Sequence, residues 1–388
     1  MHEDATVREL PVPGLALGEV IAALDARYDP ALAEEWDAVG LVLGDPAADV
    51  RRILLAVDPV GAIVDEAILS DADLLVNHHP LFLKGVHGFA ATTPKGRVAH
   101  RLGANGCALF AAHTNADSPA GGVSESLALA LGLVDVRPLE ADPRPPLDKL
   151  VVFAPLDAAE RLRTAIADAG AGRIGDYDRA SFSSPGEGRF RPLDGANPTI
   201  GEVGRLETVE EVRIESVLPR ECRDAVVAAM VAAHPYEEPA YDVVELARLD
   251  EDDRGSGRVG RLPEPTTLQA FADHVAGVLP HTAHGVRVAG DPDRLVETVG
   301  LCGGAGDFLL DRARAAAVDV YLTSDLRHHP ASELREHGAA APALVDVAHW
   351  AAESTWLPVL RRRLVDALGD TVEVDVSTLN TDPWTFRA

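Results

Sequence analysis

The chain has 388 residues, and its 35 basic and 62 acidic side chains give a formal net charge of -27. That length exceeds what one hydrophobic core usually supports, so it predicts two or three domains. The acidic excess argues against non-specific binding to nucleic acid or to an anionic membrane, because both attract lysine and arginine.

The cysteines and the N-terminal segment indicate the compartment. Cys107, Cys222 and Cys302 lie far apart and form no CxxC pair, so neither a disulfide framework nor a thiolate zinc site is indicated. The segment "MHEDATVREL" is acidic and lacks the apolar stretch of a signal peptide, and the sequence contains no run of 18 apolar residues. We therefore expect a cytoplasmic protein without a transmembrane helix.

The first third of the chain alternates helix and strand patterns. A helical stripe covers residues 15–28, strand patterns cover 41–43 and 53–57, and another helix precedes the apolar run 74–76. This alternation predicts an α/β domain, in which ligands bind at the carboxyl ends of the strands. Trp36, before the first of these strands, is interpreted as a core or interface aromatic rather than a ligand contact.

A pair of histidines follows the apolar run 74–76. Residues His78 and His79 come directly after Asn77, and Pro80 then prevents a simple helical continuation. Neutral imidazole is the commonest metal ligand among side chains. The pair is therefore either a metal-binding pair or a partly buried surface pair.

A second polar group follows the next predicted strand, at 107–112. His113 and Asp117 lie just beyond it and so reach the same end of the predicted sheet. Asp117 can supply the oxygen ligand of a mixed N/O metal site. The alternative is an Asx turn or a helix N-cap, because a helical pattern begins shortly afterwards.

The middle of the chain reads as an inserted domain. Residues 136–147 are rich in proline and charge and are predicted to be a linker, and a second acidic, flexible stretch begins at Asp250. Between them the patterns follow the order β-α-β-β-α-β of ferredoxin-like domains. We therefore place an inserted domain at residues 147–250.

The inserted domain contains a polar cluster of its own. It consists of His234, Tyr236, Glu237 and Glu238, from the motif "HPYEE". The cluster can bind a ligand or anchor a loop, and we favour the loop-anchoring role.

The last third resumes the α/β alternation. A helix is predicted over 268–279, and the later strand "VDVYLTSD" delivers Asp325, His328 and His329 to its carboxyl end. Farther along, His349 and Glu353 are four residues apart in a helical pattern. They share one helix face and can bind one centre.

Together these strand-end residues contain enough donor atoms for two divalent metal ions. A bridging carboxylate, a second carboxylate and three imidazoles are a sufficient ligand set, and paired metals activate water for hydrolysis. Such N/O ligands accept Zn, Fe, Mn, Ni or Co, so the sequence does not identify the metal.

Five motifs in chain order resemble one known family. They are "WDAVGLVLGD", "NHHPLFLKG", "HTNADSPAGGVSESLA", "TSDLRHHPASE" and "HWAAESTWLPVL". The chain resembles the GTP cyclohydrolase I type 2 homologs, also called the dinuclear metal centre hexameric family. The segments "SFSSPGEGRFRP" and "HPYEEPAYDV" resemble the PII-like or CutA-like middle domain of its longer bacterial members.

The resemblance implies a set of metal ligands. Carried over motif by motif, they are His78, His79, Asp117, His349 and Glu353, with Glu353 as the bridge. The motif "HWAAE" keeps the H-x3-E spacing but lacks the Thr or Ser that often precedes the glutamate in the family.

Further residues are expected around these ligands. His113, Asp325, His328 and His329 are expected to support the ligands or to line the cavity. For His328 and His329 the alternative is a plain solvent-facing role, and we favour cavity lining. We expect catalytic roles for Glu353, His328 and His329.

The resemblance and the patterns together predict an α/β core of two similar halves, residues 1–146 and 251–388, split by the ferredoxin-like insert. The resemblance also implies a homohexameric toroid with two divalent metals per chain. The expected function is metal-dependent hydrolysis of a nucleotide or other phosphorylated small molecule, with a GTP cyclohydrolase-like reaction as the example that the family name gives. The alternative is a non-catalytic metal-binding, metallochaperone or regulatory assembly.

Overall fold

The computed structural model describes residues 14–388 of the chain. They form two compact units, one made of the chain up to Asp142 together with Asp252–Ala388, the other of Pro143–Glu251. Each unit has its own hydrophobic core. Between residues 14 and 388 no helix has the length and apolar character needed to cross a bilayer.

The first unit is built from two chain segments of mixed strands and helices. The N-terminal segment contains β1 (Leu15–Ala16), α1 (Leu17–Asp25), β2 (Gly40–Leu43), β3 (Asp49–Val50), β4 (Arg52–Ala56), α2 (Gly61–Leu69), β5 (Leu74–Asn77), α3 (Pro94–Ala104), β6 (Ala108–Ala111), α4 (Thr114–Asp117), α5 (Val123–Ala130) and β7 (Val134–Pro143).

The second unit follows. It contains β8 (Leu147–Pro155), α6 (Ala159–Asp168), β9 (Phe182–Phe190), β10 (Glu207–Pro219), α7 (Arg223–Ala233) and β11 (Tyr241–Glu245).

The C-terminal segment completes the first unit. It contains β12 (Asp250–Thr267), α8 (Leu268–Val278), β13 (Val286–Ala289), β14 (Leu295–Ala305), α9 (Leu310–Ala315), β15 (Val320–Ser324), α10 (His328–Arg335), β16 (Ala343–Val347), α11 (His349–Ser354), α12 (Leu357–Leu368) and β17 (Glu373–Val376).

One sheet of the first unit has the strand order β17-β4-β5-β6-β2. Its first four strands run parallel, and β2 joins antiparallel. All four residues of β5 are buried, as expected for a parallel strand that is covered on both faces. The carboxyl ends of parallel strands meet at one sheet edge, so His78 after β5 and His113 after β6 are brought together there.

The other large sheet has the order β13-β16-β15-β14-β12-β7. Its central strands β14, β15 and β16 are parallel. Their carboxyl ends carry Gly304, Asp325 and the start of α11. The predicted mixed α/β fold is confirmed.

A buried aromatic pair connects the segment between α11 and α12 to the segment that follows α1. Trp356, between these helices, is fully buried, and its indole N–H donates to the hydroxyl of Tyr28 at 3.1 Å. The two rings meet edge to face with centroids 5.5 Å apart. This contact fixes α11, the helix that carries His349 and Glu353.

The two stretches predicted as flexible linkers are strands, so that prediction was wrong. Residues 136–147 lie mostly in β7, and the stretch from Asp250 lies in β12, its neighbour in the six-stranded sheet. Proline is tolerated in β7 because it is the edge strand. Gly255 permits close pairing, since a Cβ there would lie 2.2 Å from the Glu140 carbonyl oxygen.

The second unit has the element order strand, helix, strand, strand, helix, strand. Its sheet order is β11-β8-β10-β9, with every neighbouring pair antiparallel. Leu162 of α6 and Val226 of α7 pack with Val152 and Ile214 of the sheet in one buried core.

Candidate metal centre

The structure brings all five predicted ligand residues to one place in the first unit. His78 and His79 follow β5, Asp117 ends α4, and His349 and Glu353 lie on α11. The side chain of Glu353 is at the centre, 96% buried, and the imidazoles surround it. His113 joins them, with its ring 5.0 Å from that of His78.

Every histidine of this cluster uses its Nδ1 to bond an oxygen atom. The pairs are His78 with the Ala112 carbonyl at 2.8 Å, His79 with Asp58 at 2.7 Å, His113 with Asp37 at 2.8 Å and His349 with Asp325 at 2.7 Å. Because a carbonyl or carboxylate oxygen only accepts, Nδ1 carries the proton in each ring. The neutral imidazole then keeps its Nε2 lone pair for a metal ion.

The Nε2 atoms meet the Glu353 carboxylate. Its Oε1 lies 2.7 Å from Nε2 of His349 and 3.5 Å from Nε2 of His78, and its Oε2 lies 3.1 Å from Nε2 of His79. Two overlapping donor groups result, namely His78 with His79 and His113, and His79 with His349 and Glu353. The first group offers three nitrogen donors, and the second offers two nitrogens and a carboxylate oxygen. Divalent transition metals accept both kinds of donor.

The charges of the cluster depend on one another. Burial opposes ionisation of Glu353, but the neighbouring imidazoles outweigh it and hold its pKa well below the usual range. Burial also opposes protonation of His79 and His349, yet the Glu353 carboxylate and a hydrogen-bonded aspartate raise their pKa to about 10 and about 11. A divalent cation can replace these two imidazole protons.

Asp117 and Glu353 have buried oxygen atoms that hydrogen bonding with neutral histidines does not satisfy. Among residues 14–388, Oδ1 of Asp117 has no hydrogen-bond partner, and the nearest polar group to Oε2 of Glu353 is Nε2 of His79, which satisfies it only while that ring is protonated. Burial and the charge of Glu353 raise the pKa of Asp117 well above its usual range. Unsatisfied buried carboxylate oxygens are costly unless a cation or proton compensates them. The donor set therefore fits a metal site.

The backbone leaves room beside these atoms. Gly304 has a φ of +69°, and a Cβ there would lie 2.5 Å from Oε1 of Glu353 and 3.3 Å from Nε2 of His349. Only glycine combines this backbone conformation with so close an approach.

A cavity of about 490 Å³ opens beside the cluster. Asp117, His349 and Glu353 line it, together with the aromatic rings of Trp36 and Phe308. Trp36 is 58% exposed, so of the two predicted roles that of a core aromatic was wrong, and that of an interface aromatic stays a prediction. Its ring instead meets the edge of the His113 ring, 6.0 Å away, beside the cavity.

His328 and His329 are not brought to the cluster. Both are exposed at the start of α10, their rings are 5.3 Å apart, and neither belongs to the donor groups found within residues 14–388. The chain turns at Asp325, which has a φ of +57°. Only Asp325 from this motif reaches the cluster, through its bond to His349. The predicted catalytic roles of the two histidines remain predictions.

Two supporting carboxylates were missed by the sequence analysis. Asp58 follows β4 at the same sheet edge as the other residues, so the strand-end pattern could have found it. Asp37 lies in a loop before β2, and its Oδ2 also accepts from the backbone N–H and hydroxyl of Thr114. No spacing in the sequence indicates that Asp37 contacts His113 and Thr114, which lie more than 70 residues away in the chain.

Comparisons with known proteins agree with these observations. Residues 15–383 match the family described as Duf34/NIF3 (NGG1p interacting factor 3). A Mycobacterium leprae protein named "GTP cyclohydrolase 1 type 2 homolog" is 48% identical over 375 residues, which cover 96% of each chain. A Bacillus subtilis protein of the same name is 38% identical over 95% of this chain and 98% of its own.

Solved structures give the same result. A Bacillus cereus protein described as related to NIF3 is 37% identical, with a TM-score of 0.67 over 96% of this chain and 99% of its own. A Staphylococcus aureus protein is 25% identical, with a TM-score of 0.78 over the same shares. On its sequence, its fold and the length of these matches, the chain belongs to the Duf34/NIF3 family.

Proposed function

We propose that this protein is a metal-dependent hydrolase with two divalent metal ions per chain and a nucleotide or other phosphorylated small molecule as substrate. The observation that carries the proposal is the set of imidazole Nε2 atoms gathered around the buried Glu353 carboxylate. The names of the curated relatives favour a GTP cyclohydrolase-like reaction.

The proposed ligands are His78, His79, Asp117, His349 and Glu353. Glu353 is proposed as the bridge because its two oxygens face different imidazoles, Oε1 toward His349 and Oε2 toward His79. Bound divalent ions supply Lewis-acid activation of water and polarisation of the bond that is attacked. The hydrogen-bonded aspartates keep the imidazoles oriented.

The aromatic side chains in the 490 Å³ cavity favour a substrate that contains a planar ring. Trp36 and Phe308 are 58% and 63% exposed and line the same cavity as His349 and Glu353. Exposed aromatic faces beside polar groups favour stacking of a heterocycle. Proton transfer by His328 and His329 remains part of the proposal. Its test is a pH profile of turnover for the His328→Ala and His329→Ala variants.

The proposal includes the assembly and the insert. We infer a homohexamer of toroidal form, in which each chain has a core of two similar halves, 1–146 and 251–388. The strand and helix order of the segment 147–250 favours a ferredoxin-like domain of the PII or CutA kind. Light scattering of the purified protein tests the assembly, and a mass other than six chains contradicts it.

A second candidate function is metal binding or regulation without turnover. The observation that favours it is the second unit, which has its own core and a cavity of about 360 Å³. The volume is within the range of small-molecule sites.

One experiment separates the two functions. The protein is purified with defined metals and offered a panel of nucleotides and phosphoesters, alongside Glu353→Ala. The hydrolase proposal expects metal-dependent turnover that Glu353→Ala abolishes and that the control Glu221→Ala, an exposed change in the second unit, retains. Metal binding without turnover of any compound favours the second function.

A further inference from the structure

A second cavity, of about 520 Å³, lies on another side of the metal centre. His79 lines it, so the cavity reaches the cluster directly. The volume is within the range of small-molecule sites. It is formed by loops and helix starts of the first unit, between α2 and α3.

The charged lining of this cavity is mainly cationic. Lys95, Arg97 and Arg101 contribute to it, and Arg101 is ion-paired with Asp65. Lys95 and Arg97 have no side-chain hydrogen bond or ion pair within residues 14–388. The chain as a whole is acidic, with 62 acidic and 35 basic residues. This cavity is therefore positively charged on an otherwise negatively charged protein.

The start of α2 adds to this positive potential. Val60 and Gly61 line the cavity, and the helix begins there without a side-chain cap and without an acidic residue in its first turn. The free N–H groups of a first helical turn attract anions.

One carboxylate also lines the cavity, and it is already engaged. Asp58 accepts from Nδ1 of His79 at 2.7 Å through Oδ1, and its Oδ2 accepts from the hydroxyl of Thr381. Both of its oxygens are thus occupied by His79 and Thr381. Within residues 14–388 neither oxygen forms an ion pair with Lys95 or Arg97.

We propose that this cavity is the phosphate-binding site of the substrate, with Lys95, Arg97 and the first turn of α2 binding the phosphate oxygens. The identity of the ligand as a phosphorylated substrate rests on the proposed function. Lysine and arginine are the side chains that bind phosphate most strongly, through charge-assisted hydrogen bonds. The phosphate would lie in this cavity and the ring of the same substrate in the cavity lined by Trp36 and Phe308, since residues of the metal cluster line both cavities.

The test measures binding of inorganic pyrophosphate by titration calorimetry, on the protein as purified and after treatment with a chelator. Three proteins are compared: the natural chain, the double variant Lys95→Ala with Arg97→Ala, and the control Arg362→Ala, which removes an exposed arginine of α12. We expect the double variant to raise the Kd at least tenfold and the control to leave it unchanged. All three should keep the same metal content and thermal unfolding midpoint.

Three results would overturn the assignment. They are no pyrophosphate binding by the natural chain, equal binding by the double variant, and binding that disappears on chelation. The last result would place the anion on the metal ions rather than in the cavity.

The panel of nucleotides and phosphoesters provides a second test of the phosphate site. The double variant is expected to raise the KM of phosphorylated substrates at least tenfold and to leave that of compounds without phosphate unchanged. An unchanged KM for phosphorylated substrates would show that the cavity binds only free anions, and it would overturn the proposal. If no compound is turned over, the proposed function fails, but the pyrophosphate titration still decides whether the cavity binds phosphate.

Discussion

The metal centre and the polar cluster of the second unit differ in how their histidines use the two ring nitrogens. In the second unit, Nε2 of His234 donates to the Phe153 carbonyl at 2.9 Å, and Nδ1 accepts from the backbone N–H of Tyr236 at 3.0 Å. At the metal centre, Nδ1 bonds a neighbouring oxygen, and Nε2 faces the other donors.

A histidine that uses both ring nitrogens in hydrogen bonds has a structural role, whereas one with a free nitrogen can bind a metal ion. His234 has no lone pair left for a ligand, and burial lowers its pKa, so it remains neutral and anchors its loop. Glu237 is similarly engaged, since it accepts from the backbone N–H of Asn197 at 3.0 Å. The predicted loop-anchoring role thus agrees with these contacts, whereas the metal-centre rings keep one nitrogen for a ligand.

The largest expected effect comes from removing the central charge. Glu353→Gln keeps the shape of the side chain but removes the carboxylate that two or more imidazoles face. Metal affinity should fall by more than about 100-fold, beyond the loss typical of supporting residues. Metal content after dialysis, measured by plasma mass spectrometry, checks this. Full metal content in the variant would disprove the central role of Glu353, and Glu238→Gln is the control.

Metal affinity should depend steeply on pH. His79 and His349, with pKa values of about 10 and about 11, are protonated at pH 8 without metal, and a metal must displace both protons. Affinity should therefore rise with pH, by up to about 100-fold per unit for two displaced protons. Calorimetry in buffers of different ionisation enthalpy counts the protons. A count of zero would contradict the charge state inferred for these rings.

Removal of an orienting aspartate should have a smaller effect. Asp325→Asn weakens the bond to Nδ1 of His349 and leaves every proposed ligand in place. Metal affinity should fall about 10–100-fold. Competition with a chromophoric chelator measures it, and Asp311→Asn, an exposed change on α9, is the control. Equal affinity in both variants would mean that Asp325 does not position the ring.

The smallest effect is expected in the second unit. His234→Ala removes two hydrogen bonds of a buried side chain and should lower the free energy of unfolding by about 1–3 kcal/mol. Metal content should stay unchanged. Thermal unfolding and metal analysis of the same sample check both expectations. Loss of metal in this variant would show that the contrast between the two regions is wrong.

The sequence was informative where position along a strand decides the geometry. Parallel strands bring their carboxyl ends to one edge, and this placed His78, His79 and Asp117 together. The four-residue spacing of His349 and Glu353 fixed a shared helix face. The resemblance joined these two groups, which are more than 200 residues apart, into one set.

The sequence was uninformative where a contact depends on the pairing of distant segments. The bond of Asp37 to His113 requires a loop before β2 to reach the end of β6. The two proline-rich or acidic stretches became strands because each supplies the hydrogen-bonding partner of the other, β7 beside β12. Composition describes each stretch separately and therefore predicted linkers.

Gly304 has a practical consequence for experiments on the family. Its missing side chain leaves space against Glu353 and His349, so Gly304→Ala would place a methyl group among the donor atoms without changing any of them. The positive φ adds a strain of about 1–2 kcal/mol, and the Glu353 side chain must move to admit the methyl group. The variant would be a blocked form of the protein that keeps every donor group, and it would separate the effects of metal loss from those of losing a charged side chain.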